Sequence, residues 1–138
     1  MAGEMSGHMF FADRYFGYDD AIYASCRLLE IMGKTGKRVS ELLEEIPRTY
    51  VTPEIRVECP DEVKFHVVEQ VKERLKGRYE IVDVDGVRVK FPDGWGLLRA
   101  SNTQPVLVLR FEAASPSRLQ EIRSTIEGVL KEVIEGLG

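Results

Sequence analysis

The sequence predicts an α+β fold for residues 51–138, in the order strand, helix, four strands, helix. Three observations support this fold: alternating apolar and polar residues at the strand positions, connections short enough for hairpins, and two amphipathic helical stretches. Short hairpin connections indicate a mainly antiparallel sheet, and the two helices are expected to lie together on one of its faces. Residues 1–47 precede this unit as a predicted helical segment.

The first strand and first helix of the α+β unit differ in the period of their apolar residues. "EIRVE" alternates as a strand does. The helix is predicted in "CPDEVKFHVVEQVKERLKG", with Pro60 near its first turn and Gly77 as its stop. Its apolar stripe consists of Val67, Val68, Val71 and Leu75. Its basic residues are expected to face solvent: Lys64, Lys72, Arg74 and Lys76.

Four strands and the last helix complete the unit. "YEIVDV" and "VRVKF" flank "DVDG", a hairpin signal with Asp85 and Gly86 at the turn. "GWGLLRA" and "PVLVLRFEA" are two further strands, connected by "RASNTQP". The last helix is predicted in "SPSRLQEIRSTIEGVLKEVIEGLG", where Ser115 caps it and Pro116 lies in its first turn.

Residues 1–47 open with a glycine-rich loop, "GEMSGH", and an aromatic cluster, "MFFADRYFGY". A helix is predicted in "DDAIYASCRLLEIM" after the Asp19/Asp20 start signal, and "GKTGK" is expected to end it. "VSELLEEI" predicts a short second helix, and "PRTYVTP" a linker in which two prolines prevent helix. Arg14 is expected either to pair with Asp19 or Asp20 or to reach a substrate.

Composition narrows the classes of function. The chain is 43% hydrophobic and 30% charged with a net charge of -4, which argues against general nucleic-acid binding, since that requires clustered Lys and Arg. Cys26 and Cys59 lack metal-ligand partners at a useful spacing and are expected to be buried free thiols in a reducing cytosol. No apolar run approaches the ~20 residues of a membrane span and no signal peptide opens the chain, so a cytoplasmic protein that avoids membranes is expected.

The RASNTQP loop, residues 99–105, concentrates hydrogen-bond donors between two apolar strands. Arg99 offers a planar fork that suits a phosphate or carboxylate. Ser101 and Thr103 add hydroxyls, Asn102 adds an amide, and small residues allow backbone N–H groups to converge on an anion. From the residues alone, two interpretations stay open: an oxyanion-binding loop, or a polar turn whose side chains cap their own backbone.

The GEMSGH loop, residues 3–8, places an acid, a hydroxyl and a histidine between two glycines. Glu4 can accept hydrogen bonds from sugar-type hydroxyls, Ser6 can donate and accept, and His8 can donate or shuttle a proton. The glycines allow a ligand to approach the backbone closely. Taken alone, this pattern is also typical of an ordinary loop near a chain terminus.

Together the two loops resemble a known family. "GEMSGHMFFADRYFGYDDAIYASCRLLEIM", followed later by "RASNTQPVLVLRFEA", resembles the C-terminal part of the α-D-phosphohexomutases, in their bacterial phosphomannomutase/phosphoglucomutase branch. The resemblance covers nearly the whole chain. It implies that residues 1–47 are the helical end of the third of four domains, an α/β domain, and that residues 51–138 are the fourth, with a TATA-box-binding-protein-like fold.

The resemblance also implies roles for individual residues. Glu4 and Ser6 would contact sugar hydroxyls, and His8 would border the active site and assist proton transfer. The phosphate that is not being transferred would be held by Arg99, Ser101, Asn102 and Thr103. The implied substrate is a mannose or glucose phosphate, interconverted between its 1- and 6-phosphates through an enzyme phosphoserine and a sugar bisphosphate.

The family's catalytic parts are not found in this sequence. A phosphoserine loop like TxSHNP and a Mg²⁺ loop like DGDxDR are absent, and the resemblance places both in N-terminal domains of a parent chain. "DVDGVR", residues 83–88, is similar to the metal loop only superficially, because it falls on a predicted hairpin. Phosphoryl transfer needs these parts, so this chain is expected to hold no metal ligand, no cofactor and no catalytic residue beyond a supporting role for His8.

Two hypotheses for the function follow. The first is a substrate-binding C-terminal part of a phosphohexomutase, inactive alone; the alternative is a stand-alone module that binds a phosphosugar or another anion without catalysis. Under the first, residues 1–47 lack most of the sheet that they would cover. Four aromatic residues would then be exposed, disordered or buried in contacts foreign to the whole domain: Phe10, Phe11, Tyr15 and Phe16.

Overall fold

The elements of the chain group into two units, Met1–Pro47 and Arg48–Gly138. The computed structural model describes residues 1–4 and 6–137. The first unit contains β1 (Ala2–Gly3), β2 (Met9–Phe10), α1 (Ala21–Thr35) and α2 (Val39–Leu42). The second contains β3 (Tyr50–Val51), β4 (Ile55–Glu58), α3 (Lys64–Leu75), β5 (Glu80–Val82), β6 (Val87–Phe91), β7 (Gly94–Ala100), β8 (Val106–Ala113) and α4 (Pro116–Glu135). None of the helices in the described residues combines the length and the hydrophobicity that a membrane span requires.

The second unit is built on one antiparallel sheet. Its strands run in the order β3-β8-β7-β6-β5, and β4 also pairs with β8, antiparallel at every junction. The predicted order of strand, helix, four strands and helix is confirmed from β4 to α4. The linker prediction was wrong for Tyr50–Val51, which pairs with Ala113 and Glu112 of β8. Pro53, which has no N–H to donate, separates this short strand from β4.

The core of the second unit lies between one face of the sheet and both helices, as predicted. α3 contributes Val67, Val71 and Leu75, and α4 contributes Ile122, Ile126 and Val133. The strands contribute Val87, Val89, Leu98, Leu107, Leu109 and Phe111. α4 crosses β7 closely, because a Cβ at Gly96 would overlap Ile126 Cδ1. Burial of this many apolar side chains is the main source of stability for the unit.

The ends of the two long helices follow their capping residues. The hydroxyl of Ser115 accepts a hydrogen bond from the Arg118 N–H, and Pro116 is the first residue of α4. α3 begins at Lys64, later than Pro60 suggested, and Gly77 (φ +81°) follows its end. The prediction of a solvent-facing basic side was wrong for Lys64, which is 4% exposed, because its ammonium lies against a carbonyl of the RASNTQP loop.

The first unit has little interior. β1 and β2 pair over two residues each, and α1 contains no buried residue. Among the residues described here, Phe11 alone in this unit is buried, edge-on to the ring of Tyr23 at 5.6 Å, whereas Phe16 is exposed as expected. Asp20 caps α1 by accepting from the Tyr23 N–H, and the helix continues through "GKT" to Gly36, one turn beyond the predicted end.

Two further predictions for the first unit were wrong: the pairing of Arg14 with Asp19 or Asp20, and the burial of Cys26. Arg14 makes two hydrogen bonds to the Glu30 carboxylate, at 3.2 and 3.0 Å, and its contact with a substrate stays a prediction. Cys26 is exposed on α1, a helix in which no residue is buried, whereas Cys59 is buried in the second unit as expected. The Arg14–Glu30 pair therefore fixes the loop before α1 to the helix by polar contacts. The elements of the second unit are held together by burial of apolar side chains instead.

Candidate functional site

Arg99 belongs to strand β7, and the irregular part of the RASNTQP loop begins only at Ser101. β7 ends at Ala100 and β8 starts at Val106, with Arg99 paired to Val108. Because side chains alternate along a strand and Ala100 points into the core, Arg99 projects from the sheet face opposite the helices. Its guanidinium is therefore carried by the rigid sheet and does not depend on the loop for its direction.

The β5–β6 hairpin supports Arg99. Nη1 of Arg99 lies 3.6 Å from Oδ2 of Asp85, and the arginine side chain keeps 35% of its surface exposed. Gly86 adopts φ +77°, and a Cβ there would overlap Leu98 O and lie 2.6 Å from Arg99 Cβ. Only glycine fits this close approach. The sequence marked Asp85 and Gly86 as a turn, but gave no sign that the turn lies beside Arg99.

Hydrogen bonds inside the loop favour part of each interpretation offered by the sequence. The Ser101 hydroxyl oxygen accepts from the N–H groups of Thr103 (3.4 Å) and Gln104 (3.2 Å), as in a self-capped polar turn. These two amides converge on Ser101 and are not directed outward. The hydroxyl proton of Ser101 remains for donation to a ligand. Asn102 and Thr103 are exposed, and their side chains bond to no other described residue, so they too can donate to an anion.

The exit of the loop is fastened to distant parts of the unit. Gln104 Oε1 accepts from Nη1 of Arg56 on β4 at 2.9 Å, and Pro105 O accepts from the Cys59 N–H at 3.0 Å. The Gln104 carbonyl accepts from the Val106 N–H at 2.8 Å. Neither Gln104 nor Arg56 was predicted as part of the site. Their contact joins residues 48 positions apart, which no local pattern reveals.

Several arginines share the open face of the sheet with Arg99. Glu54 receives a hydrogen bond from Arg56 Nε at 2.8 Å and lies 3.6 Å from Nη2 of Arg110. The pKa of Glu54 is lowered, chiefly by the hydrogen bond from Arg56 and further by the positive charges of Arg110 and Arg99. Arg56, Arg110 and Arg99 thus lie near one another on this face of the sheet, beside the loop, and their positive charges suit an anionic ligand.

A cavity of about 280 Å³ borders the other side of the loop, at Ala100 and Asn102. Its lining includes three carboxylates, from Glu69, Asp83 and Asp85, and the single cation Lys72. Lys72 pairs with two of them, at 2.8 Å to Glu69 and 3.5 Å to Asp83. An anion would be repelled from this cavity, so the open face with Arg99 is the better place for a phosphate.

Residues 83–88 lie on the β5–β6 hairpin, as their sequence predicts. Asp83 and Asp85, which would have to ligate a cation, are engaged by Lys72 and Arg99. Within residues 1–4 and 6–137, no group of three or more His, Cys, Asp or Glu side chains is arranged to hold a metal ion. The hairpin does not fit a Mg²⁺ site.

The GEMSGH loop holds its three candidate residues together. Ser6 Oγ donates to Glu4 Oε2 at 2.9 Å and lies 2.7 Å from Nδ1 of His8. Ser6 thus bridges the carboxylate of Glu4 and the imidazole of His8, and the tautomer of His8 sets whether Nδ1 donates or accepts in this contact. All three side chains are exposed, so sugar hydroxyls can replace these internal bonds. Met5 of this loop lies outside the described residues.

Asp19 was predicted as a helix start signal and as a candidate partner of Arg14, yet it lies beside His8. Oδ2 of Asp19 is 3.9 Å from Nε2 of His8, and Oδ1 accepts from the Met9 N–H at 3.2 Å. Asp19 also forms an isolated bridge with Phe10 of β2. The carboxylate thus ties the end of the GEMSGH loop to the start of α1 and places a negative charge near the imidazole.

Two sequence profiles of one family match this chain. The profile described as phosphoglucomutase/phosphomannomutase, C-terminal domain, matches residues 54–129, which include the RASNTQP loop. The profile described as phosphoglucomutase/phosphomannomutase, alpha/beta/alpha domain III, matches residues 1–50, which include the GEMSGH loop. The first match lies within the second structural unit, and the other covers the first unit and the three residues that follow it.

Known proteins are similar over nearly the whole chain. Phosphomannomutase/phosphoglucomutase of Pseudomonas syringae is 46% identical over 99% of this chain, phosphoglucomutase of Neisseria gonorrhoeae is 46% identical over 95%, and a probable phosphoglucosamine mutase of Methanopyrus kandleri is 37% identical over 96%. The chain spans about 30% of the length of these relatives.

A solved structure agrees with these similarities. The crystal structure of a phosphoglucomutase/phosphomannomutase family protein from Burkholderia thailandensis superimposes with a TM-score of 0.80 at 40% identity, covering 97% of this chain and 28% of that one. The resemblance inferred from the two loops is thereby confirmed at the level of the family. The C-terminal domain profile alone matches more than half of the residues of this chain, and the chain therefore belongs to the phosphoglucomutase/phosphomannomutase family.

Proposed function

We propose that this chain is the substrate-binding C-terminal part of a phosphohexomutase, in which the RASNTQP loop holds the phosphate that is not transferred. The observation that supports this most is the donor set itself. The Arg99 fork, the Ser101 hydroxyl and the side chains of Asn102 and Thr103 follow one another at the end of a core strand. They lie beside other cations of the open sheet face.

The proposed binding step is an exchange of partners. An arriving phosphate dianion would take the Arg99 guanidinium from Asp85, whose 3.6 Å contact is longer than a good charge-assisted hydrogen bond. Ser101 would donate its free hydroxyl proton, and Asn102 and Thr103 would complete the set. No side chain of the loop is a strong base or nucleophile at neutral pH, so the phosphate is held unchanged.

Such a loop suits both ends of a hexose. The proposed donors recognise phosphate as an anion and make no contact that depends on the sugar carbon to which it is attached. A 1-phosphate and a 6-phosphate can therefore occupy the same place in turn, as an interconversion through a bisphosphate requires. Discrimination between sugars is assigned to the GEMSGH loop, where Glu4 and Ser6 would bind hydroxyls and His8 would assist proton transfer.

The transfer step itself is proposed to depend on the rest of a parent chain. The relatives are about three times longer than the segment matched here, since that segment is about 30% of their length. A phosphoserine would supply the phosphoryl group, and Mg²⁺ would neutralise the charge that develops on it. The described residues of this chain do not fit a Mg²⁺ site, so the metal is assigned elsewhere in the parent chain.

The phosphate assignment is tested by titrating the full chain with glucose 1-phosphate while amide NMR signals are recorded. We expect shifts centred on residues 99–104, which glucose alone does not produce. Substitution R99Q is expected to weaken binding about tenfold or more, because a charge-assisted contact is lost. R123Q is the matched control, since Arg123 is ion-paired and 38% exposed, close to the 35% of Arg99. Equal affinities of the two variants would contradict the assignment.

The absence of catalysis is tested separately. The full chain, incubated with glucose 1-phosphate or mannose 1-phosphate and Mg²⁺, is expected to give no 6-phosphate above the buffer control. Binding without turnover agrees with a substrate-binding part. Turnover that scales with the concentration of this chain would show that the transfer machinery lies within it after all.

A further inference from the structure

Lys64 is the one charged side chain that the described part of the chain buries. It is 4% exposed and is the first residue of α3. Lysine is rarely buried without partners, because removing an ammonium from water is costly. The groups that satisfy Lys64 therefore indicate why a lysine occupies this place instead of an apolar residue of similar size.

One partner is local and the other lies on the RASNTQP loop. Nζ of Lys64 is 2.5 Å from Oδ1 of Asp61, three residues earlier on an exposed turn. It also donates to the main-chain carbonyl of Gln104 at 3.0 Å, across 40 positions of sequence. The pair with Asp61 offsets the charge of Lys64. The contact with Gln104 is the one that reaches the candidate site.

Gln104 is the residue on which the loop's own bonds meet. Its N–H donates to the Ser101 hydroxyl, its carbonyl accepts from Val106 N–H, and its side chain accepts from Arg56. A rotation of the 104–105 peptide group would break the Lys64 and Val106 bonds together. Lys64 thus restrains the same residue whose amide orients Ser101.

We propose that Lys64 is a positioning residue for phosphate binding by the RASNTQP loop; this inference rests on the proposed function of that loop. Lys64 holds the Gln104 carbonyl on the side that faces α3. The carbonyl oxygen, which would repel an anion, is thereby kept away from the donors at Ser101 and Thr103. The lysine also offsets the partial negative charge of that oxygen without contacting the phosphate.

The test is an NMR titration of the full chain with inorganic phosphate at constant ionic strength, for wild type, K64M and K131M. Lys131 is the charge-matched control, exposed on α4 with Glu135 at 3.7 Å. We expect K64M to bind phosphate about fivefold more weakly, the equivalent of losing one hydrogen bond. K131M should bind like wild type. K64R, which keeps the charge and the donors, should recover most of the affinity.

A second readout separates positioning from general stability. In K64M, the amides of Gln104 and Val106 should exchange with solvent faster, while those of Leu98 and Leu109 in the core strands stay unchanged. Uniformly faster exchange throughout the second unit would overturn the inference, because Lys64 would then contribute only to folding. Phosphate binding by K64M as tight as that of the wild type would also overturn the inference.

Failure of this inference is distinguishable from failure of the proposed function. If wild-type loop amides do not respond to phosphate, the proposed function is wrong, and Lys64 cannot position a site that does not exist. If the wild type binds at residues 99–104 and K64M binds equally well, only the Lys64 inference fails. Should K64M not fold, K64A replaces it in both measurements; it too removes the donor to the Gln104 carbonyl, and unchanged binding by K64A would count equally against the proposal.

Discussion

The two units of the chain present their candidate loops on very different supports. The RASNTQP loop joins β7 and β8, whose residues Leu98, Leu107, Leu109 and Phe111 are fully buried. The GEMSGH loop joins β1 and β2, which pair over two residues each and precede a helix without a buried residue. The second unit therefore directs the proposed phosphate donors from a buried core, whereas the described residues of the first unit bury only Phe11 behind the loop proposed to bind sugar.

Helix α1 shows the difference most clearly. Ile22 is 80% and Leu29 is 64% exposed, and the helix is held mainly by polar groups such as the Arg14–Glu30 pair and the Asp20 cap. An isolated helix of 15 residues is marginal in water without tertiary packing. We therefore expect the first unit to be stabilised when its apolar helix surface is covered, and the second unit to be stable without help.

The largest expected effect is a core substitution in the second unit. F111A should lower the free energy of unfolding of that unit by about 3–5 kcal/mol, because a fully buried aromatic side chain leaves a cavity. I22A in α1 should change the free energy of unfolding of the first unit by less than about 0.5 kcal/mol, as for an exposed position. Trp95, the only tryptophan, lies in β7 and reports the second unit in urea titrations followed by fluorescence, and the amide signals of α1 report the first unit. Similar losses for both variants would mean that the units do not differ as described.

A smaller effect is expected at the glycine beside Arg99. G86A should destabilise the second unit by about 3 kcal/mol, since the left-handed backbone conformation and a clash with Leu98 and Arg99 add together. G77A is the matched control: Gly77 also has positive φ, but its Cβ would meet nothing within 4 Å, so only about 1 kcal/mol is expected.

The same pair of variants tests the support of Arg99. G86A should also weaken phosphate binding by the RASNTQP loop. The added methyl group would displace the backbone at Leu98 and Arg99, and the Arg99 guanidinium would move with it. G77A should leave the affinity unchanged. Thermal unfolding and phosphate titration measure the two effects, and equal losses of stability in both variants would show that the close approach at Gly86 has no cost.

The smallest effect is expected from acid on the first unit. The pKa of Glu30 is lowered from 4.5 to about 2, first by its hydrogen bond from Arg14 and then by that from Lys34. Because the folded pKa is depressed, the stabilisation is complete above pH 4.5 and is lost as the pH falls toward 2. Amide signals of α1 should therefore lose dispersion over this range before those of β8.

The glutamine variant E30Q is the control for this acid effect. It should show weakened α1 signals already at neutral pH and a flatter response to acid, because the pairs with Arg14 and Lys34 are absent throughout. If E30Q and the wild type respond identically between pH 5 and pH 2.5, Glu30 does not couple the loop before α1 to the helix.

Much of the second unit was predictable because its signals are local and repeated. The stripe of α3, the Ser115–Pro116 start of α4 and the Asp85-Gly86 turn all lie within a few residues. β3 was missed, since two residues are too few to show a strand period. The donors of the RASNTQP loop were also visible in the sequence, because they follow one another within a few residues.

The supports of the site were not predictable. Asp85 beside Arg99, Arg56 on Gln104 and Lys64 on the Gln104 carbonyl are contacts made only when the sheet and α3 come together. Lys64 looked like part of a solvent-facing basic side, because a helix pattern shows which residues are polar but not which of them meets a carbonyl across the fold. Asp19 beside His8 was hidden in the same way behind its helix-start role.

The most direct test of the contrast between the two units is native-state hydrogen exchange of the full chain, resolved by residue. We predict that amides of β8, such as Leu107 and Leu109, exchange only through global unfolding of the second unit. Amides of α1 and of the aromatic segment around Phe11 should exchange through local opening, at least about a hundredfold faster. Protection of the aromatic segment equal to that of β8 would contradict the account.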